Sequence, residues 1–110
     1  MYLLKLISLI NCPYSNAAKE FLDKKNIKYK LINVDQKTKE KYKNKNINTF
    51  PQIYLYKNNK EILLGGYDDI IEVHRNIYKI ELNKSIKYLN QKFPNMSRKH
   101  ILRIIETLNN

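Results

Sequence analysis

The chain opens on a run of mainly apolar positions, residues 2–10, broken by Lys5 and Ser8, and this run reads as a buried strand. Pro13 then suits the first turn of a helix, where its missing N–H costs nothing. From there the period changes. Tyr14, Ala17, Ala18, Phe21 and Leu22 recur at spacings of three and four, the stripe of a helix that ends near Lys25 and Asn26. Residues 27–34 are a second predicted strand, with turn-prone Asn33 and Asp35 near its end. Strand, helix and strand within about 35 residues imply a parallel pair joined by a right-handed crossover.

Downstream the elements shorten. Asp35 is placed to cap a second, highly charged helix over residues 37–45. Residues 46–50 read as a loop that stops at Pro51. Residues 52–56 and 61–64 are short strands, and Lys57, Asn58, Asn59 and Lys60 between them are a hairpin signal. Gly65 and Gly66 punctuate the chain, Asp68 or Asp69 helps start a third helix running to about Tyr78, and Leu82, Ile86, Leu89 and Phe93 mark a fourth. Pro94, Asn95 and Met96 break that pattern, and Ser97 caps a last helix bearing Ile101, Leu102, Ile104, Ile105 and Leu108. No repeat or linker interrupts the order. It predicts an α/β fold, a mixed four-stranded sheet flanked by helices, with an extra C-terminal helix expected to pack on the domain.

A chain of 110 residues is one domain by size, and its hydrophobic fraction of 43% is ordinary for a globular protein. The longest uncharged run, residues 6–18, contains Asn11, Pro13, Ser15 and Asn16, and is too short and polar to cross a bilayer. The first residues lack the charged leader and small-residue cleavage site of a secretory signal, and Asn11 replaces the small residue a lipid-modified Cys12 would want. The expected location is the cytoplasm.

The net charge of +11 invites a nucleic-acid reading. Its make-up points elsewhere: Lys supplies most of it, with only Arg75, Arg98 and Arg103 beside it, and Arg is the better phosphate and base reader. Lys, Asn and Ile abound together from end to end, the mark of an AT-rich genome in a parasite, a low-GC bacterium or a large DNA virus. A viral origin would place the protein in the host cytoplasm or the virion. A scattered, solvated basic surface is therefore expected, and neither a membrane nor a nucleic acid as partner.

The single cysteine, Cys12, excludes an internal disulfide and a Cys-only metal site within one chain. Any redox chemistry must borrow its second sulfur from outside. Cys12 lies at a strand-to-helix junction, where the N–H groups of a helix start favour negative charge and hence the thiolate that attacks disulfides. His74 and His100 show no spacing for a metal site or a Cys–His pair, and His74 reads as a surface residue.

Three segments, in order, resemble the glutaredoxin family. Cys12, Pro13, Tyr14 and Ser15 are similar to its Cys-Pro-Tyr-Cys active site, with serine for the second cysteine. Thr49, Phe50, Pro51, Gln52, Ile53 and Tyr54 resemble its Thr-Val-Pro segment, whose proline is cis and faces the cysteine. Gly65, Gly66, Tyr67, Asp68 and Asp69 resemble its Gly-Gly-x-x-Asp segment, which binds the glutamyl end of glutathione. The resemblance covers residues 1–92, read as the domain, and leaves residues 93–110 as a helical extension.

This resemblance implies a thioredoxin-like fold and glutathione-dependent thiol–disulfide exchange, with Cys12 as the catalytic nucleophile and glutathione as co-substrate. Extended backbone at Phe50 would pair with the cysteinyl part of glutathione. Thr49, Pro51 and Tyr14 would line the groove, and Gly66 and Tyr67 would offer a helix start to the γ-glutamyl carboxylate. Asp68 or Asp69 would meet its ammonium group. Lys39, or Lys41, is a weaker candidate for the glycyl carboxylate. Leu9 stands where family members often carry Lys, which removes one expected carboxylate partner.

With Ser15 in place of a resolving cysteine, the resemblance implies a monothiol route that strips glutathione from glutathionylated proteins, in a monomer. Two alternatives accompany it. One is a carrier of a [2Fe–2S] cluster held between two chains by Cys12 and glutathione, disfavoured because Pro13 and Tyr14 replace the usual Gly-Phe. The other is a degenerate binding protein of the same fold.

Overall fold

The first apolar run forms strand β1, Leu3–Leu9. Its neighbours are helix α1, Pro13–Lys24, and strand β2, Tyr29–Val34, which runs parallel to β1 with Leu6 opposite Leu31. Strands β3, Gln52–Lys57, and β4, Lys60–Gly65, form a hairpin, and β3 lies antiparallel to β1. The sheet order is β2-β1-β3-β4, a mixed sheet with β1 and β3 at its centre. Helices α2, Tyr67–Arg75, α3, Leu82–Lys92, and α4, Arg98–Leu108, complete the thioredoxin-like fold. This computed structural model describes residues 1–109; Asn110, the last residue of the 93–110 segment, lies outside the described residues.

Alternation along the strands divides the apolar residues between two unequal layers. Leu4, Leu6, Ile53 and Leu55 are fully buried on one face of the sheet. They share a core with Ala18 and Leu22 of α1, Ile70 and Val73 of α2, Ile86 and Leu89 of α3, and Ile101, Ile104, Ile105 and Leu108 of α4. All four helices thus pack into the same layer. On the opposite face Ile7, Val34 and Tyr54 are covered by Tyr42 and Phe50, with Leu9, Ile32 and Leu63 at the margin.

The thin second layer corrects one expectation. Residues 37–45 do not form a helix; they contain a single 3-10 turn, Lys39–Tyr42. Three lysine pairs, 37/41, 39/43 and 41/45, would stand one turn apart on a helix and repel. Only Tyr42 offers a large apolar surface in compensation. Asp35 instead closes an Asx turn, its carboxylate accepting the N–H groups of Lys37 and Thr38 at 2.9 Å and the Thr38 hydroxyl at 3.0 Å. The buried Gln52 amide donates to the Tyr42 carbonyl at 2.8 Å and fastens the segment to the sheet.

The third helix also stops earlier than expected, at Arg75 rather than Tyr78, whose N–H is taken by the Ser85 hydroxyl at 2.7 Å. Helix α1 ends in a Schellman motif, with Asn26 left-handed at φ 58 and the Ile27 N–H on the Leu22 carbonyl. At the start of α4 the Ser97 hydroxyl accepts the His100 N–H. Among the described residues no helix is long and apolar enough to cross a membrane.

Candidate functional site

The reactive group sits where β1 hands the chain to α1. Cys12 is the N-cap residue of α1, extended at φ −98, and Pro13 follows at the first helical position. No acidic residue occupies the first turn of α1 and no side chain, the Cys12 sulfur included, caps it, so the positive end of the helix lies next to Cys12 without a competing carboxylate. The Cys12 thiol is partly exposed, and its Sγ lies 3.9 Å from the carbonyl oxygen of Phe50. Pro51, next in the chain, is joined to Phe50 by a cis peptide bond.

A groove of about 540 Å³ begins at that point. Tyr14 forms one wall, residues 46–51 form the second, and Gly65, Gly66, Tyr67, Asp68 and Asp69 close it, with Leu63 in its floor. The segments at residues 12–15, 49–54 and 65–69 therefore meet here in part. Tyr14 from the first, Thr49, Phe50 and Pro51 from the second and residues 65–69 from the third line the groove, whereas Cys12 is not among the lining residues and borders it through Phe50. Tyr14 is 62% exposed and leans on Tyr67 at a ring-centroid distance of 6.1 Å.

The two aspartates are not equivalent. Asp69 accepts the Gly66 N–H at 2.8 Å, closing the start of α2, and its other oxygen meets the Lys92 ammonium at 2.9 Å. Lys92 also binds Glu72 at 2.8 Å, and with the Tyr88 hydroxyl it holds the Glu72 carboxyl below the usual carboxylate range. Asp68 is exposed at the groove with neither of those bonds. Lys92 was not legible as a support for the site, because it joins through sequence-distant α3.

Ser15 does not face the groove. It is fully buried, and its hydroxyl accepts the Leu9 N–H at 3.1 Å. That N–H lies beyond the last β1–β3 pair, Ile7 with Gln52, so the hydroxyl replaces a missing ladder partner. Ser15→Ala is expected to cost about 1–3 kcal/mol, the penalty for a buried donor left unpaired. Thermal unfolding should read this as a fall in Tm of roughly 4–8 °C per kcal/mol; an unchanged Tm would show that the Leu9 N–H needs no protein acceptor.

Other candidates separate from the groove. Lys39 lies in the 3-10 turn and is not among the groove-lining residues; neither is Lys41. Leu9 is half-buried against Ile7, Val34 and Tyr54, a packing position. Asn46, Ile47 and Asn48 line the groove although no sequence signal singled them out. His74 is more than a surface residue: its ring meets Phe21 edge-on at 5.2 Å, and burial, then the charge of Lys25, lowers its pKa. Among the described residues no three His, Cys, Asp or Glu side chains converge as a metal ion would require.

Residues 4–61 match the family model described as Glutaredoxin. "Glutaredoxin 1" of Rickettsia prowazekii is 36% identical over 75 residues, covering 64% of this chain and 75% of that protein. Its counterpart in Rickettsia typhi is 35% identical over 75 residues, with 64% and 68% covered. Among solved structures, glutaredoxin 1 from Francisella tularensis complexed with cacodylate superposes with a TM-score of 0.58 at 22% identity, covering 70% of this chain and 96% of that one. The buckwheat glutaredoxin–glutathione complex gives 0.51 at 21% identity, with 82% and 78% covered. These two likenesses are of fold.

Proposed function

This chain belongs to the glutaredoxin family, and from that membership we propose that it is a glutathione-dependent thiol–disulfide oxidoreductase working through Cys12 alone. The observation that carries the reading is the Cys12 sulfur, set at a helix start and 3.9 Å from the Phe50 carbonyl, where the groove begins.

In the first step the Cys12 thiolate attacks the glutathionyl sulfur of a mixed disulfide. A Cys12–glutathione disulfide forms, the original S–S bond breaks, and the substrate sulfur leaves with the electron pair and takes a proton from water. In the second step the thiolate of free glutathione attacks the glutathionyl sulfur now on Cys12. Glutathione disulfide departs and the Cys12 thiolate is restored. The net change converts one mixed disulfide and one free glutathione into the substrate thiol and glutathione disulfide, one S–S bond exchanged for another with no outside oxidant or reductant. With one cysteine in the chain, and Ser15 engaged by the Leu9 N–H, the second sulfur comes from glutathione.

The groove supplies partners for each end of the tripeptide. Backbone at Thr49, Phe50 and Pro51 pairs with the cysteinyl unit, Tyr14 flanks it, and the start of α2 at Gly66 and Tyr67 receives the γ-glutamyl carboxylate. Asp68 takes the ammonium group, since Asp69 is engaged by Gly66 and Lys92. Lys39 has no part in this arrangement.

Two measurements test the reading. The wild-type protein should turn over the mixed disulfide of glutathione and β-mercaptoethanol with glutathione, glutathione reductase and NADPH. Mass spectrometry after exposure to glutathione disulfide should find one glutathionyl group, on Cys12. Absence of both turnover and adduct would refute it. Gly65 gives a second handle, because its φ is +130 and an added Cβ would collide with the Asp69 carboxylate. Gly65→Ala should lose about 1–3 kcal/mol of stability. By displacing Asp69 from Gly66 it should also raise KM for the glutathionyl substrate; a variant matching wild type in both would show that this turn does not shape the groove.

A further inference from the structure

The start of α2, at the closed end of the groove, carries more negative charge than suits an anion site. Its first turn holds Asp68 and Asp69, and Glu72 follows one turn later. Gly66, the N-cap residue, offers no side-chain oxygen to the first-turn N–H groups, which stand at the groove without a side-chain cap. A carboxylate arriving there is drawn by those donors and the helix dipole. It is repelled by every carboxylate nearby whose charge is not offset.

Lys92 offsets that charge from another element. It is the last residue of α3, its side chain only 20% exposed, and its ammonium lies 2.9 Å from Asp69 and 2.8 Å from Glu72. The Tyr88 hydroxyl, one turn earlier on α3, donates to the same Glu72 oxygen at 2.7 Å and so fixes where that carboxylate points. Among the described residues no other cation lies within ion-pair distance of Asp69, and none within that distance of Asp68. One Asp69 oxygen is held by Lys92 and the other by the Gly66 N–H. Asp69 lines the groove and Lys92 does not, so any effect of Lys92 on a bound group passes through Asp69.

We propose that Lys92 is a positioning residue that sets the preference of this site for a γ-glutamyl group. By holding Asp69 on the Gly66 N–H it fixes the backbone donors of the helix start, and by offsetting the Asp69 charge it lets a carboxylate approach them. Asp68 is left as the one first-turn carboxylate without an ion pair, matched to an ammonium group. With Lys92 neutralised, Asp68 and Asp69 both oppose the incoming carboxylate. The proposal rests on the reading of the groove as a glutathione site and adds to it the residue that makes the γ-glutamyl end count.

The test compares two mixed disulfides of β-mercaptoethanol, one with glutathione and one with cysteinylglycine, which lacks the γ-glutamyl unit. The second-order rate at which the full chain acquires each adduct on Cys12 is followed by mass spectrometry. Wild type should react faster with the glutathione probe. Lys92→Met keeps the aliphatic stem and removes the charge, and should slow that reaction about fivefold. It should leave the cysteinylglycine reaction near the wild-type rate, which also reports that the variant folds. Lys92→Arg, which keeps a cation for Asp69 and Glu72, should retain the preference. A Lys92→Met variant with the wild-type preference would overturn the proposal, as would equal losses on both probes. So would a Lys92→Arg variant that loses the preference as fully as Lys92→Met, since packing rather than charge would then be at work. A wild type that forms neither adduct, or reacts equally with both probes, would overturn the parent reading instead.

Discussion

Cys12→Ser is expected to remove turnover of a glutathione mixed disulfide altogether, a fall in kcat/KM of at least about 10³-fold, because the variant lacks the nucleophile. The substitution is a clean probe. Cys12 stands at the N-cap of α1 in extended conformation, and serine is among the best residues there, so the helix start is kept or improved. A serine hydroxyl stays protonated at neutral pH, and its oxygen has no comparable exchange reaction with a disulfide sulfur. The loss should therefore come with a Tm equal to or slightly above that of wild type. It should also come with no glutathione adduct by mass spectrometry. Residual activity near the wild-type level would mean that some other group performs the chemistry, and the one-cysteine mechanism would fall.

The second large effect concerns α4, which lay outside the resemblance seen in the sequence. Ile101, Ile104, Ile105 and Leu108 are each at least 94% buried, in the same layer as Leu4, Leu6, Ile53 and Leu55. Each such side chain is worth about 1.5–3 kcal/mol of burial. Four of them amount to roughly 6–12 kcal/mol, comparable to the whole stability of a typical domain, about 5–15 kcal/mol. A chain ended after Asn95 is thus expected to lose cooperative thermal unfolding. Ile104→Ala is the milder test, expected to cost about 2–5 kcal/mol. A truncated chain that unfolds cooperatively near the wild-type Tm would show that α4 is an appendage to a core complete without it.

The early part of the fold was legible because its patterns are strong. Residues 3–34 alternate cleanly between an apolar strand, a stripe at helical period and a second strand, and both helix ends carry their own signals in Pro13 and Asn26. Residues 37–45 misled because Asp35 followed by charged residues looks the same whether it opens a helix or an Asx turn. What separates the two is an apolar stripe, and this segment has only Tyr42 to bury. The meeting of Tyr14, Phe50, Pro51, Gly66 and Asp68 around one groove was readable from three short segments. The work of Ser15, Asp69 and Gln52 was not. Their partners, Leu9, Lys92 and Tyr42, are set by how the chain closes on itself, and local spacing carries no record of that. Gln52 still gave a hint, as a polar side chain opening a buried strand.

The unequal covering of the sheet has a further consequence. The four-helix layer carries nearly all the buried apolar mass, whereas one groove wall, residues 46–50, hangs from the thin side by Tyr42, Phe50 and the Gln52 amide. Folding and recognition therefore answer to largely separate sets of residues. Substitutions at the exposed lysines of residues 37–45 are expected to leave folding largely intact, and changes in residues 46–50, which that segment leads into, reshape the groove wall itself. A lineage under pressure to change its substrates has in that segment a place to do so without re-engineering the molecule that holds the thiol.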